Sequence, residues 1–348
     1  MPGSIERYTA LALQTRCDAV NNVDKTGARS AMLAAIERID EQIRGSFVLT
    51  GPSLRLVVLP EYFMTGYPVG ETIESWADKA AIEVGGPEYD ALSAVAQRHN
   101  IWLAGNAYET DSNFPGYYFQ VCFIIEPSGN IILRYRRLIS MFAPTPHDVW
   151  DKYLELYGLD AVFPVADTAI GKLACCASEE ILFPEITRAH ALRGAELILH
   201  STSEVASPRM TPKEIARRAR AVENLVYVVS ANTAGVHGEG IPPQSVDGMS
   251  KIVDYKGRVM VEADTGETMV AHAEIDLPAL RATRAKPGMP NYFARQRLEL
   301  FASAYSDTSF YPANSLLDEN GNPGVPDRSH FIETQRATIR KLSDDELI

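Results

Sequence analysis

Residues 171–188, GKLACCASEEILFPEITR, hold the chain to one kind of architecture: a buried strand that bends sharply and runs straight into a helix. Leu173, Ala174, Cys175, Cys176 and Ala177 are small or apolar, as a strand covered on both faces requires. Ser178, Glu179 and Glu180 break the run, and Phe183-Pro184-Glu185 reads as a helix entry, because proline is tolerated in a first helical turn. A side chain held at such a bend is pushed out of the sheet toward the cleft, the geometry that exposes nucleophiles in α/β enzymes. Ser178 is the residue so placed.

The same alternation extends through the chain. Tyr8 to Thr15 predicts a strand, and Ala28 to Arg44 carries Met32, Ile36, Ile39 and Ile43 near helical spacing. Leu54 to Leu59 is a nearly continuous apolar strand ended by Pro60, so Glu61 falls at a strand's carboxyl end, where open α/β sheets gather their ligands. A helix over Pro87–Asn100, a strand over Ile101–Glu109 and a hairpin of Tyr117–Glu126 with Asn130–Arg136 follow. Residues 140–165 are irregular and rich in aromatics and proline, the pattern of a functional loop or lid that carries selectivity. Beyond the central bend come helix 184–193, strand Leu197–His200, helix 211–223 with a Thr211-Pro212-Glu214 capping pattern, and strand Leu225–Ser230. Antiparallel strands near 249–254, 257–263 and 268–275 close the pattern.

Four segments, in order, carry a resemblance: LVVLPEYFMTGYP ending at Pro68; AGNAYE (104–109) with PSGNIILRYRRL (127–138); CCASEEILFPEITRAHALRGAELILHSTS (175–203); and RAVENLVYVVSANTAG (220–235). Over about residues 8–290 the chain resembles the nitrilase superfamily of carbon-nitrogen hydrolases, the amidases, nitrilases and N-carbamoyl amidases. The resemblance implies an α/β fold, a four-layer α-β-β-α sandwich of two mixed sheets, formed by residues 1–285. It also implies a tail, 286–348, whose aromatics Tyr292, Phe293, Phe301, Tyr305, Phe310 and Tyr311 pack on the domain or across a homodimer or larger assembly.

The family's catalytic Glu, Lys and Cys match Glu61, Arg137 and Ser178, so two of three positions depart from the pattern. A family-type mechanism would use Glu61 as base, Ser178 as nucleophile, and Arg137 with the Glu179 backbone N–H as oxyanion donors. Serine is the weaker nucleophile, and a permanent guanidinium within about 4–6 Å of Glu61, as the family arrangement implies, would make that carboxylate a poorer base. Cys176, two residues earlier, is an alternative nucleophile that lies deeper in the strand. The family's second Glu position falls on Thr145, with His147 and Asp148 beside it; His147 is a candidate base for Ser178. Tyr67 is a candidate pocket wall, and Glu180 a structural cap or a partner for Arg188. Two readings stay open: a hydrolase of a small polar amide, nitrile or N-carbamoyl compound, and an inactive family member that binds a small ligand or a protein.

Composition excludes other classes. A net charge of −12 repels nucleic acid and anionic membrane surfaces, and no apolar run reaches the length of a membrane span. Four cysteines without paired spacing fit a reducing, cytoplasmic compartment. Seven histidines without ligand spacing and the lack of a glycine-rich phosphate motif predict neither metal nor cofactor.

Overall fold

The structure, a computed structural model, describes residues 6–204, 210–240 and 242–348. The first half runs β1 (Arg7–Ala12), β2 (Cys17–Asp18), α1 (Lys25–Thr50), β3 (Leu54–Val58), α2 (Ile73–Ala80), α3 (Pro87–His99), β4 (Trp102–Thr110), β5 (Tyr118–Ile125) and β6 (Ile131–Arg136). The second half runs α4 (Trp150–Tyr157), β7 (Ala166–Thr168), β8 (Gly171–Ala177), α5 (Pro184–Leu192), β9 (Leu197–Thr202), α6 (Pro212–Asn224), β10 (Tyr227–Asn232) and β11 (Val236–His237). It ends in β12 (Lys251–Val253), β13 (Val259–Glu262), β14 (His272–Asp276) and α7 (Leu277–Ala285), and the tail adds α8 (Ala302–Ser306) and α9 (Arg328–Asp344).

Among the described residues the strands form two six-stranded mixed sheets, β14-β1-β3-β4-β5-β6 and β13-β12-β10-β9-β8-β7. Parallel pairs lie at the centre of each, β3 between β1 and β4, and β9 between β8 and β10, and antiparallel strands flank them. Side-chain alternation decides which face of each strand meets what. Ala10, Ala12, Leu56 and Val58 face the other sheet and share one core with Leu173, Cys175, Leu199 and Val229. Their neighbours Leu11, Leu13, Val57 and Leu59 face outward onto α1 and α3, against Met32, Ile36, Ile39, Ile43, Leu92 and Val95. Each such aliphatic side chain contributes about 1.5–3 kcal/mol when fully buried. The second sheet is covered by α5 and α6 through Ile186, Ala191, Ala216 and Ala221. The outcome is the expected α-β-β-α sandwich.

Local chemistry sets the helix ends. The Asp24 carboxylate caps α1 by accepting from Gly27 N–H, and Thr211 caps α6 by accepting from Glu214 N–H at 3.1 Å, with Pro212 in the first turn. Helix α1 is longer than the periodic stretch Ala28–Arg44, because its last turn extends past the apolar spacing to Thr50. The strand expected at 249–254 shortens to Lys251–Val253, flanked by a bulge opposite β13.

The lid region folds on itself and on the tail. Arg136 closes it from below: its guanidinium sits 4.5 Å over Phe119, 4.7 Å over Tyr157 and 5.5 Å over Tyr153, and bonds Asp111 at 2.5 Å. The tail contributes Leu316 and Phe331 to the cluster beneath α4, whereas Tyr292, Phe301, Tyr305 and Phe310 stay exposed on this chain. Among the described residues no helix is long and apolar enough to cross a membrane.

Candidate active site

Ser178 follows directly on β8 and adopts φ +50°, a left-handed conformation that a residue with a Cβ takes only at a cost. On the facing sheet Tyr62, next to Glu61, has φ +58°. Both sheets therefore break at the same place, each with a bent residue at the end of a central parallel strand. The bend at Ser178 is held from below. Its carbonyl accepts from His200 Nε2 at 2.8 Å, and the other ring nitrogen of His200 contacts Ser230 Oγ at 2.9 Å. Burial, together with the nearby Arg217 cation, pushes the imidazole well below its ordinary pKa, so His200 is neutral and donates from Nε2.

His190, packed edge-on against Tyr135 and Phe163, is pushed down to about 3, chiefly by burial. Both rings are depressed in the fold relative to about 6.5 in the unfolded chain. Their stability contribution is therefore present above pH 6.5 and is lost as pH falls, at about 2.7 kcal/mol per pH unit for the two protons taken up on unfolding. Glu180, held up to about 7, takes up a proton on folding and opposes this slope in the same window, so the His190 share is read as a difference: in urea unfolding at pH 6 and pH 5, His190→Leu should lose about 1 kcal/mol less stability over that step than the unaltered protein. An unchanged slope in that variant contradicts the assignment.

Glu180 fastens the bend to the neighbouring sheet. Its Oε1 accepts from Leu138 N–H at 2.7 Å and Ile139 N–H at 3.2 Å; its Oε2 accepts from Tyr135 Oη at 2.9 Å and Ala177 N–H at 3.1 Å. Burial pushes this carboxyl up to about 7 against the opposing pull of Arg137 and the hydrogen bonds. Arg188, the partner considered for it from the sequence, instead donates to Glu223 O at 3.0 Å.

Glu61 is fully buried. Its backbone N–H bonds Thr202 O at 3.3 Å, which ties the end of β3 to the end of β9. Gln120 Nε2 donates to Oε1 at 2.6 Å and Ser203 Oγ donates to Oε2 at 2.9 Å, so each carboxylate oxygen already has a partner. Arg137 lies 3.5 Å from Glu61 Oε1. Its Nη1 donates to Gln120 Oε1 at 2.7 Å, its Nε to Ile139 O at 2.7 Å, and its Nη2 to the Glu179 carboxylate. The Glu179 backbone N–H lies in the first turn of the short helix Ser178–Leu182, where N–H groups lack intrahelical acceptors. Tyr67 lies edge-on to Tyr62 at 4.9 Å and has Ser203 as a hydrogen-bonding neighbour.

Two residues stand elsewhere. His147 lies between Trp150 and Tyr311, with ring centroids 6.1 and 6.2 Å away, and its backbone carbonyl binds the tail at Asn314. Thr145 and Asp148 form a capping box that begins the lid helix. Cys176 is fully buried on the face of β8 that carries its register partner His200, and burial pushes its thiol well above the ordinary range, which removes it as a nucleophile at the cleft.

Sequence reasoning missed Gln120, His200, Ser203 and Lys213. Lys213, the second residue of α6, points its amine at Ser178 Oγ at 3.3 Å and at Thr202 Oγ1 at 3.4 Å. A lysine in a first helical turn, on the unfavourable side of the helix dipole, is the signal that was available. Gln120 was accessible through strand pairing, since Arg137 N–H bonds Gln120 O at 2.9 Å.

A carbon-nitrogen hydrolase family profile matches residues 16–285. The chain belongs to the carbon-nitrogen hydrolase family. It is 27% identical over 244 residues to a probable nitrilase of Schizosaccharomyces pombe, covering 70% of this chain and 82% of that protein. It is 26% identical to an omega-amidase of Mus musculus, covering 66% of this chain and 79% of the relative. Among solved structures, a carbon-nitrogen hydrolase from Helicobacter pylori superposes with a TM-score of 0.66 at 21% identity, over 86% of this chain and 98% of that one. That likeness is one of fold. This member of the carbon-nitrogen hydrolase family has the nitrilase-type sandwich fold.

Proposed function

We propose that the chain hydrolyses the C–N bond of a small polar amide, nitrile or N-carbamoyl compound, with Ser178 as nucleophile. The observation that carries this reading is the left-handed bend at Ser178, held open by His200 and Glu180 beside the Glu61–Arg137 pair. A strained conformation persists where the surroundings over-determine it, and such places are enriched at active sites. In this reading Ser178 Oγ attacks the carbonyl or nitrile carbon. The Glu179 N–H and the fixed Arg137 cation face the developing oxyanion. Glu61 supplies fixed negative charge and orders Gln120 and Ser203, and water then releases the acid. Relatives named as an omega-amidase and a formamidase support an amide as substrate.

A second reading, an inactive member that binds a small ligand or a partner, draws on the saturation of Glu61 and Arg137 by Gln120, Ser203, Ile139 and Glu179. Incubation with a panel of small amides and nitriles decides between them. Ammonia release beyond one equivalent is the expected result; none from any member, with a ligand still bound, favours the binding protein. The first reading places the chain in the cytoplasm, supported by four free, buried cysteines. It also makes the chain a homo-oligomer, supported by the exposed tail aromatics Phe301, Tyr305 and Phe310.

A further inference from the structure

We propose that Lys213 is the base that activates Ser178, so that the site runs on a serine-lysine pair in which Glu61 takes no proton from the nucleophile. The proposal rests on the reading of Ser178 as a nucleophile and goes beyond it by naming the proton acceptor.

Three groups at the cleft are candidates for that role. Glu61 directs one carboxylate oxygen to Gln120 and the other to Ser203. Arg137 is a guanidinium and accepts no proton. Lys213 has its amine 3.3 Å from Ser178 Oγ, within the range that tightens when a substrate closes an empty site. Thr202 Oγ1, 3.4 Å from the same amine, orients it, which completes the nucleophile, base and orienting group that serine chemistry needs.

The surroundings favour an amine that gives up its proton. The acids that face Lys213 are Glu61, Glu179 and Glu204, and each has a guanidinium of its own: Arg137 lies against the first two, and Arg217 Nη2 bonds Glu204 at 2.6 Å. Glu214, the next residue along α6, pairs with Lys251. Among the described residues, the amine's hydrogen-bond partners are thus the two hydroxyls alone. Lys213 also sits in the first turn of α6, where the helix dipole opposes a cation. Burial lowers the amine below its ordinary pKa, with Arg217 acting in the same sense and Glu61, Glu204 and Glu179 acting against it.

With an amide, the neutral Lys213 amine accepts the Ser178 hydroxyl proton as the Oγ–C bond forms and the carbonyl π bond opens to the oxyanion. The oxyanion collapses, the C–N bond breaks, and the Lys213 ammonium returns its proton to the departing nitrogen. Water then adds to the acyl-serine ester with Lys213 again accepting the proton, and as the ester C–O bond breaks the Lys213 ammonium returns that proton to Ser178 Oγ, which gives the acid, free Ser178 and a neutral Lys213. Amide and water go in; acid and amine come out.

The test uses a fluorophosphonate probe, in which a Ser178 Oγ–P bond forms, the P–F bond breaks and fluoride leaves, with labelling followed by intact mass and peptide mapping from pH 6 to pH 10. In the unaltered protein the labelling rate should fall as pH is lowered and Lys213 becomes protonated, and level off at high pH. Lys213→Met and Lys213→Arg should each slow labelling by about 10²-fold or more and lose the plateau. Glu61→Gln changes the rate only through the charge and the hydrogen bonds it removes, and labelling should still rise with pH to a plateau that Lys213 sets. Lys213→Met should melt no lower than the unaltered protein, since it removes a partly buried amine; if that variant fails to fold, Lys213→Arg and the pH profile still decide. The proposal is overturned if Ser178 is not labelled, if Lys213→Arg labels as fast as the unaltered protein, or if Glu61→Gln alone stops labelling. Lys213-dependent labelling with no ammonia from any amide leaves the pair standing and removes the amide reading. Undiminished ammonia release by Lys213→Met does the reverse.

Discussion

Ser178→Ala should lower kcat/KM for ammonia release by about 10³-fold or more, because removing a nucleophile leaves only the rate that binding and oxyanion donors supply. Ligand affinity measured by calorimetry should stay within a few-fold, since the Glu61 and Arg137 hydrogen bonds do not pass through the serine. A loss below about 10-fold would show that Ser178 is not the nucleophile. The double change Ser178→Cys with Arg137→Lys extends the same experiment. It restores a thiol and frees Glu61 from a permanent cation, so a decayed site should gain ammonia release that neither single change recovers. A site already running on serine should instead lose activity, because lysine cannot reproduce the three directions in which Arg137 bonds Gln120, Ile139 and Glu179.

The second large effect is on stability. Glu180→Ala should destabilise the fold by about 3 kcal/mol or more, because it strips acceptors from Leu138 N–H, Ile139 N–H, Ala177 N–H and the Tyr135 hydroxyl at one buried point. Glu180→Gln should be nearly as damaging, as its amide nitrogen would face a donor wherever it is placed. Urea unfolding measures both, and a change below about 1 kcal/mol in either would mean that the carboxylate is not the clamp the geometry describes.

The four-layer sandwich followed from the family resemblance, whereas the strand–helix alternation beneath it was legible because its pattern is local. Apolar runs such as Leu54–Leu59 and Leu173–Ala177 need cover on both faces, and the spacing of Met32, Ile36, Ile39 and Ile43 supplies one of the covers. Glu61 and the bend at Ser178 were legible because each follows a strand end that chain order marks, whereas Arg137 entered only through the family resemblance. Lys213 and His200 were not, for different reasons. Thr211-Pro212-Lys213-Glu214 reads as a helix start, and nothing local says that the lysine turns back toward a strand thirty-five positions earlier. His200 sits within an apolar strand, where a histidine reads as core, and only the β8–β9 register, pairing Cys176 with His200, brings its ring under the Ser178 carbonyl. Of the tail aromatics, Phe293 packs against the main core and Tyr311 against His147, whereas Phe301, Tyr305 and Phe310 stay exposed on this chain, and no local pattern in 286–348 separates the two groups.

Arg136 and Arg137 stand next to each other and face opposite ways, one gripping the aromatic rings of the lid, the other lying against Glu61. In the proposed hydrolase reading, the loop that would select a substrate and the charge that would meet it are consequently set by one stretch of backbone two residues long. On that reading, a change at Tyr153 or Tyr157 would pull through Arg136 on the strand end that positions Arg137, so that appetite for new substrates and competence toward them would be inherited together.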